Sequence, residues 1–173
     1  MLQKIPIYRV VKRPIFISLS DKVFYGKMNL PSTNVHKWKT NRGCVDMLRQ
    51  REEKIKVWFE MWVGEDTTPM AAIFADDVEY TECWGYQYFG KDEIKAWFED
   101  WHKNNVMEAF YAKDFLHMDD NKTVVRFKME ALTKSGTDRW MDGVYIVEWD
   151  ENDCIKSLEE YGEGSRKTRP YEK

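Results

Sequence analysis

AIFADDVEY, residues 72–80, is the stretch that decides the fold. Just before it, Thr68 and Pro69 form a good N-cap and first position for a short helix that ends near residue 74. The acid pair Asp76-Asp77 then predicts a turn into a strand over 78–84. The stretch therefore joins a short helix directly to a strand.

Two longer helices are predicted on either side of this stretch, over 45–63 and 91–103. The first ends at Gly64, which is a common helix terminator. Each helix carries apolar residues at helical spacing and so presents one stripe to a core. The stripes are Leu48, Ile55, Trp58, Phe59 and Trp62 on the first helix, and Ile94, Trp97, Phe98 and Trp101 on the second.

Four strands are predicted after the second helix, over 106–118, 123–133, 138–149 and 154–161. Short turns rich in Asp, Asn and Gly connect them, which is typical of an antiparallel meander. Helices followed by consecutive hairpins indicate an α+β fold with the helices on one face of the sheet.

The first 45 residues differ in composition from the rest. They hold nine Lys/Arg and one acid, a charge of +8, whereas the remaining 18 bases and 29 acids give −11. We predict a basic N-terminal extension over 1–45 with a short strand at 15–23, a domain over 46–162 and a tail over 163–173. One hypothesis is that Met47 is the native start.

Composition also bears on partners and location. An acidic domain disfavours nucleic acid, and the sequence lacks the roughly 20-residue apolar run of a membrane helix. Three widely spaced cysteines without a CxxC pair favour a reducing, cytoplasmic compartment. The sequence shows neither a metal-ligand cluster nor a phosphate-binding glycine loop, so we expect neither a metal nor another cofactor.

Several short motifs together resemble the SnoaL-like domain of the nuclear transport factor 2-like superfamily. They are AIFADDVEY, GKDEI at 90–94, DG at 142–143, VEWD at 147–150 and IKSL at 155–158, and the resemblance covers about residues 47–162. It implies a cone-shaped α+β barrel, a curved antiparallel sheet wrapped by three helices. It also implies cofactor-independent isomerases, cyclases, dehydratases or hydratases, or non-catalytic binders.

Within this superfamily, the similarity to ketosteroid isomerase implies specific positions. Its catalytic base corresponds to Glu82, five positions after Asp77. Its two hydrogen-bond donors correspond to Trp58 on the first helix and Tyr145 on the penultimate strand. Trp58 and Tyr145 differ in type from the family's donors, so steroid isomerisation itself is not implied.

The residues alone also single out Glu82. In a strand over 78–84, Val78, Tyr80, Glu82 and Trp84 share one face, so Glu82 is the one acid on an apolar, aromatic face. Such a carboxylate has a raised pKa or a partner, and a raised pKa suits a general base. A structural Glu, or one at a wet rim, is the alternative.

Two further strands offer polar groups to the same interior, subject to strand register. Leu158 and Glu160 point inward in the family register, and a shift of one residue brings in Glu159 instead. Tyr145 points inward on the penultimate strand unless the register is reversed, in which case Asp142 replaces it.

Aromatic residues dominate the predicted interior. They form either a pocket for a small hydrophobic or aromatic molecule or a set of rings that fills the cone. His117 is a candidate partner for Glu82, and it points inward together with Phe110 only if a bulge separates them. The ligand-binding residues we predict are Trp62, Tyr80, Trp84, Tyr88, Trp101, Phe110, His117, Leu158 and Glu160, with Glu82, Tyr145 and Trp58 as catalytic residues.

The sequence therefore predicts an acid/base enzyme that acts on a small hydrophobic or aromatic compound. A non-catalytic binding domain and a dimeric interaction domain are the alternatives. Arg126, Lys128 and Glu130 alternate with apolar residues and give their strand one charged face. This face is either a solvated surface or, as the resemblance implies, a homodimer interface on the outer side of the sheet.

Overall fold

The structure is a computed structural model that describes residues 16–19, 22–24, 42–118 and 121–164. Three helices and eight strands lie in these ranges. The helices are α1 (Arg42–Gly64), α2 (Met70–Ile73) and α3 (Gly90–Asn104). The strands are β1 (Phe16–Leu19), β2 (Lys22–Phe24), β3 (Phe74–Thr81), β4 (Gln87–Phe89), β5 (Asn105–Met118), β6 (Lys122–Thr133), β7 (Asp138–Trp149) and β8 (Ile155–Glu163).

The strands form one sheet in the order β2-β1-β5-β6-β7-β8-β3-β4. All neighbours are antiparallel except β3 and β8, which run parallel and are joined through the rest of the domain, as parallel pairing requires. The predicted α+β class is confirmed. The described sheet is mixed and has two open edges, so it curves over the helices without closing into a barrel.

Helices α1 and α3 pack their apolar stripes against the concave face of the sheet. Four of the five predicted inward residues of α1, Ile55, Trp58, Phe59 and Trp62, are at most 3% exposed, whereas Leu48 is only partly buried. Two bulges in β5 bend the long strands around them. The amphipathic patterns of the sequence therefore correctly identified the core.

The strand after AIFADDVEY differs from the prediction at both ends. β3 already begins at Phe74, and its pairing with β8 shifts register between Phe74 and Glu79. Asp76-Asp77 therefore lies in an irregular part of the strand instead of a turn, and Asp76 pairs with Lys91 of α3 at 2.5 Å. β3 ends at Thr81, and β4 forms within the predicted loop.

Part of the predicted N-terminal extension joins the sheet. The single strand predicted at 15–23 is instead the β1–β2 hairpin, and β1 pairs with β5 through Ile17 and Leu116. The rest of residues 1–41 and residues 165–173 lie outside the described ranges, so the three-part division stays a prediction. The Met47 start also stays a prediction; that residue lies inside α1. None of the described helices could cross a membrane.

Candidate functional site

The site begins where β3 leaves the sheet. The Glu82 N–H donates to the Tyr86 carbonyl (2.8 Å) and the Gly85 N–H donates to the Glu82 carbonyl (2.9 Å), which closes a hairpin loop over 83–85. Gly85 has φ of 86°, the left-handed conformation that such a loop needs and that glycine adopts without strain. The turn therefore leaves Glu82 at the rim of the core.

Glu82 is half-buried and bound to a phenol. The Tyr88 hydroxyl donates to Glu82 Oε1 at 2.7 Å. Burial raises the pKa of Glu82, the Tyr88 hydrogen bond partly offsets this, and the charge of Glu160 raises the pKa further. A carboxylate with a raised pKa is better suited to accept and return a proton.

Glu160 reaches the same place from β8. This strand pairs with β7 so that Glu160 lies opposite Tyr145. Leu158, two residues earlier, is 1% exposed and packs in the core, whereas Glu159 is exposed on the other face. The register therefore places Glu160 inward and not Glu159, and it places Leu158 beneath the site as a core residue.

Two buried phenols connect Glu160 to the core. The hydroxyl of Tyr80 lies 3.0 Å from that of Tyr145 and donates to Glu160 Oε2 at 3.2 Å. Burial, together with the charge of Glu160, raises the pKa of both phenols well above 10. Both therefore remain neutral donors. Asp142, the alternative to Tyr145, pairs on the outer face with Lys113.

The two carboxylates are neighbours across the parallel strands. Tyr80 is in register with Leu158 and Thr81 with Glu159, and Glu82 and Glu160 follow these pairs, close enough for the charge of Glu160 to raise the pKa of Glu82. Among the described residues, neither takes part in an ion pair. We call the following five residues the two-carboxylate site: Glu82, Glu160, Tyr80, Tyr88 and Tyr145.

Trp97 and Cys83 also border the two-carboxylate site, although we did not predict either as a site residue. Trp97 of α3 stacks on Tyr88 with ring centroids 4.7 Å apart; its place on the apolar stripe of the predicted helix was the available signal. Cys83 lies in the hairpin loop next to Glu82. Burial and the Glu160 carboxylate raise the pKa of Cys83 to about 12, so its thiol stays protonated and unreactive.

Trp58 lies behind the phenols, fully buried on α1. Its indole N–H is near enough to the Tyr145 oxygen to lower that phenol's pKa, but it lacks hydrogen-bonding geometry and has no partner among the described residues. A buried donor without an acceptor is costly. Trp58 thus acts on the two-carboxylate site only through Tyr145.

The centre of the predicted cone is filled by aromatic side chains. Phe59 stacks on Phe110 at 4.2 Å, and Trp62 packs on Phe98 at 4.6 Å between ring centroids. Phe110 and Trp62, predicted to bind ligand, are therefore core residues. One cavity among the described residues lies elsewhere: it measures about 320 Å³ and is lined by Glu65, Thr67, Phe98, Glu99, His102 and Lys103.

Three other predicted ligand-binding residues lie outside the two-carboxylate site. Trp84 is 65% exposed on the hairpin loop, because β3 ends before it. Trp101 packs edge-on against Trp62 at 5.2 Å. The bulge that Phe110 and His117 require is present in β5, but His117 is bound by other residues.

His117 belongs to a separate buried cluster. Its Nε2 lies 3.0 Å from Glu52 Oε1 and its Nδ1 lies 3.0 Å from the Thr123 hydroxyl. The Trp149 N–H donates to the same hydroxyl at 2.9 Å. We call Glu52, His117, Thr123 and Trp149 the closed network, since both ring nitrogens of His117 are occupied there and neither contacts Glu82.

Comparisons with known proteins agree with this architecture. A family model described as a SnoaL-like domain matches residues 55–157. No curated protein matches the sequence. An LEH-like epoxide hydrolase from M. tuberculosis shares the fold with a TM-score of 0.57 at 11% identity, over 66% of this chain and 84% of that one.

Two further solved structures are similar. A protein of ketosteroid isomerase-like fold from Catenulispora acidiphila, in complex with trimethylamine, has a TM-score of 0.54 at 16% identity over 63% of this chain and 84% of its own. A candidate polyketide cyclase from Pseudomonas putida has a TM-score of 0.54 at 13% identity, over 64% of this chain and 90% of its own. At these identities the likeness is one of fold.

Proposed function

This chain belongs to the SnoaL-like domain family, and we propose that it uses the two-carboxylate site for acid/base chemistry on a small organic molecule, with Glu82 as the proton acceptor. The observation that carries the proposal is the half-buried Glu82 carboxylate, whose pKa burial and Glu160 raise. Such a group contributes roughly 10²–10⁴-fold to a proton transfer when a substrate is in reach.

The hydrogen bond from Tyr88 fixes the orientation of the Glu82 carboxylate. It occupies Oε1, and the described residues provide no hydrogen-bond donor to Oε2. We assign Oε2 as the atom that takes the substrate proton. Tyr145 and Trp58, predicted as donors to a substrate oxygen, are buried behind Glu160, so they position that carboxylate and do not contact the ligand.

The filled core restricts the ligand to the rim. An enclosed hydrophobic substrate does not fit among Phe59, Phe110 and Trp62, so the predicted hydrophobic or aromatic compound has to be small and bind beside Tyr88 and Trp97. Two carboxylates without a described ion pair favour a basic nitrogen in that compound. The trimethylamine complex of the C. acidiphila relative is consistent with a small ligand of this kind.

The chemistries named for structural neighbours support the same class of reaction. Epoxide hydrolysis and polyketide cyclisation both require proton transfer at carbon or oxygen, and the neighbours of this fold include an LEH-like epoxide hydrolase and a candidate polyketide cyclase. For this chain the particular reaction, whether isomerisation, cyclisation, dehydration or hydration, is part of the proposal. A cytoplasmic location likewise stays a prediction.

Ligand identification followed by a matched pair of substitutions tests the proposal. Native mass spectrometry of the purified full chain identifies a co-purifying small molecule, and turnover of that compound is then measured. We expect Glu82→Gln to retain the ligand and lower kcat by about 10²–10⁴-fold. Glu79→Gln, an exposed acid on the same strand, is the control and keeps full activity. Full activity of Glu82→Gln would remove Glu82 from the mechanism.

A second candidate function, a dimeric interaction domain, is favoured by the outer face of the sheet. Val124 lies opposite Ile146 at the centre of this face, and Val144 lies opposite Tyr161; Tyr161 is 55% exposed. Ion pairs within the chain surround this row, among them Arg126–Asp114 and Lys128–Glu130. An apolar centre with a polar rim is the composition of a protein interface.

Sedimentation of the full chain tests this second candidate. We expect a dimer in the wild type and a monomer in Ile146→Glu, because a charge at the centre of the interface would be buried without a partner. Lys156→Glu, at an exposed position on β8, controls for the added charge. A wild type that sediments as a monomer at micromolar concentration rules the dimer out.

A further inference from the structure

We propose that Trp97 is a positioning residue of the two-carboxylate site: its indole holds the Tyr88 ring so that the Tyr88 hydroxyl stays on Glu82. This inference rests on the proposed function, in which Glu82 is the proton acceptor, and it extends the site by one residue. Trp97 makes no described hydrogen bond to Glu82, so it acts through Tyr88. It thereby determines which oxygen of the Glu82 carboxylate is open to a substrate.

The chain brings Trp97 to Tyr88 through a junction of strand and helix that has no linker. β4 ends at Phe89 and α3 begins at Gly90, whose φ of 75° is a turn that glycine adopts without strain. The Phe89 N–H donates to the Glu93 carboxylate at 2.7 Å, which satisfies a backbone donor at the start of the helix. Trp97 follows about two helical turns after Gly90, and its ring reaches back to β4.

Tyr88 lies on an edge strand, where few neighbours fix its ring. β4 pairs with β3 on one side only, with Tyr88 opposite Tyr80, and the other two residues of β4 are exposed. The rings of Tyr88 and Trp97 are nearly parallel, with an interplanar angle of 16° and centroids 4.7 Å apart. The Tyr80 ring is 6.3 Å from that of Tyr88 and tilted by 58°. Trp97 is therefore the closest described ring contact of Tyr88.

The Tyr88 hydroxyl can only be as well placed as the ring that carries it. The stack on Trp97 restricts the two side-chain torsions of Tyr88, and in this position the hydroxyl lies 2.7 Å from Glu82 Oε1. Without Trp97, the half-buried Tyr88 ring has other rotamers open to it, and Glu82 loses its one described donor. The two carboxylate oxygens of Glu82 would then be equivalent, and neither would be reserved for the substrate.

Side-chain carbon NMR on the labelled full chain tests this role without any substrate. The midpoint of the Glu82 carboxyl titration is measured in the wild type, in Trp97→Leu and in the control Trp101→Leu. A hydrogen bond to a carboxylate stabilises its ionised form, so we expect loss of the Tyr88 bond in Trp97→Leu to raise the midpoint by roughly half a pH unit. Trp101, one turn further along α3, packs on Trp62 with centroids 5.2 Å apart, and its substitution leaves the midpoint in place.

The sign of the shift separates positioning from simple covering. Burial raises the pKa of Glu82, so a Trp97 that only excluded water would, when replaced by Leu, admit water and lower the Glu82 midpoint. A lowered or unchanged midpoint in Trp97→Leu overturns the proposal. Trp97→Phe keeps a ring against Tyr88, and we expect it to retain most of the wild-type midpoint.

A double substitution tests whether Trp97 acts through Tyr88. Tyr88→Phe removes the hydroxyl and raises the Glu82 midpoint by itself. We expect Trp97→Leu to add no further rise in that background, because no hydrogen bond is left to lose. A second rise of the same size would show that Trp97 acts on Glu82 by another route and overturns the proposal. If Trp97→Leu does not fold, Trp97→Met, whose flexible side chain fills irregular gaps, takes its place in both backgrounds.

The NMR result is distinct from the test of the proposed function. A Glu82 midpoint that depends on Trp97 through Tyr88, in a chain whose turnover does not depend on Glu82, supports the positioning role and overturns the proposed function. Turnover that depends on Glu82, with a midpoint that does not depend on Trp97, overturns the positioning role and supports the proposed function.

Discussion

The chain contains two clusters in which a glutamate meets hydroxyl and aromatic groups, and they differ in how completely their hydrogen bonds are satisfied. In the closed network, His117 has a partner at each ring nitrogen and the Trp149 N–H has an acceptor. In the two-carboxylate site, Glu82 is half-buried with one described donor, and the Trp58 N–H behind it has no partner among the described residues.

The difference separates a polar group that holds the fold together from one that is available for chemistry. Thr123 is 0% exposed and His117 is 3% exposed, so neither can reach a ligand, although an acid–imidazole–hydroxyl arrangement has the composition of a catalytic triad. In the two-carboxylate site, fewer hydrogen-bonding groups have partners, and the Glu82 carboxylate is more exposed to solvent. Residue type alone would have favoured the closed network as the catalytic site.

The largest effect we expect from this contrast is on stability. Thr123→Val keeps the shape of the side chain but removes the hydroxyl that both His117 and Trp149 contact. Two buried polar groups then lose a partner, and we expect the free energy of unfolding to fall by about 2–4 kcal/mol. Urea denaturation of the full chain measures it.

Thr81→Val is the matched control at the other cluster. The Thr81 hydroxyl makes one long contact, 3.3 Å from Gln87, in an exposed setting, so we expect a change below about 0.5 kcal/mol. Equal losses of unfolding free energy in Thr123→Val and Thr81→Val would contradict the distinction between the closed network and the two-carboxylate site.

Glu82 is expected to have a smaller effect on the free energy of unfolding, and this effect depends on pH. Because burial and the charge of Glu160 raise the pKa of Glu82 in the folded state above its ordinary value of 4.5, the folded state binds this proton more tightly than the unfolded state does. Its contribution to stability is therefore present in acid and is lost as pH rises through the folded pKa.

Glu82→Gln removes this dependence. We expect the variant to exceed the wild type in unfolding free energy at pH 7 by less than about 1 kcal/mol, since Glu82 is only half-buried. We expect the difference to shrink to nothing below about pH 4. Urea titrations at both pH values measure it, and a wild type that is the more stable protein at pH 7 would show that Glu82 is a satisfied structural acid.

Most of the fold was predictable because its signals are local. The stripes on α1 and α3 and the polar turns of the meander follow from periodicity and turn chemistry. The parallel pairing of β3 with β8 was not predictable from the residues, because it joins segments that are distant in sequence. The irregular pairing near Asp76-Asp77 and the separate β1–β2 hairpin were missed for a related reason: tertiary contacts override local preference.

The structure brings some of the predicted site residues together and separates others, while their roles stay a prediction. Glu82, Tyr145 and Glu160 lie near one another because the predicted alternation places them on the inner face of their strands. Trp84 does not join them because β3 ends at Thr81 and the hairpin loop over 83–85 interrupts the alternation. His117 was misplaced because burial alone does not tell which neighbours a side chain meets. Whether rings enclose a hollow or fill it depends on their rotamers, which the sequence does not contain.

The parallel junction of β3 and β8 has a consequence for when the two acids can act together. Tyr80 and Glu160, which touch across it, are separated by 80 positions in the chain. During synthesis, Glu82 emerges long before Glu160, and the pair is absent until the last strand has added to the sheet. A chain released before β8 would carry one acid without its neighbour, so any activity of this site reports that the domain is complete.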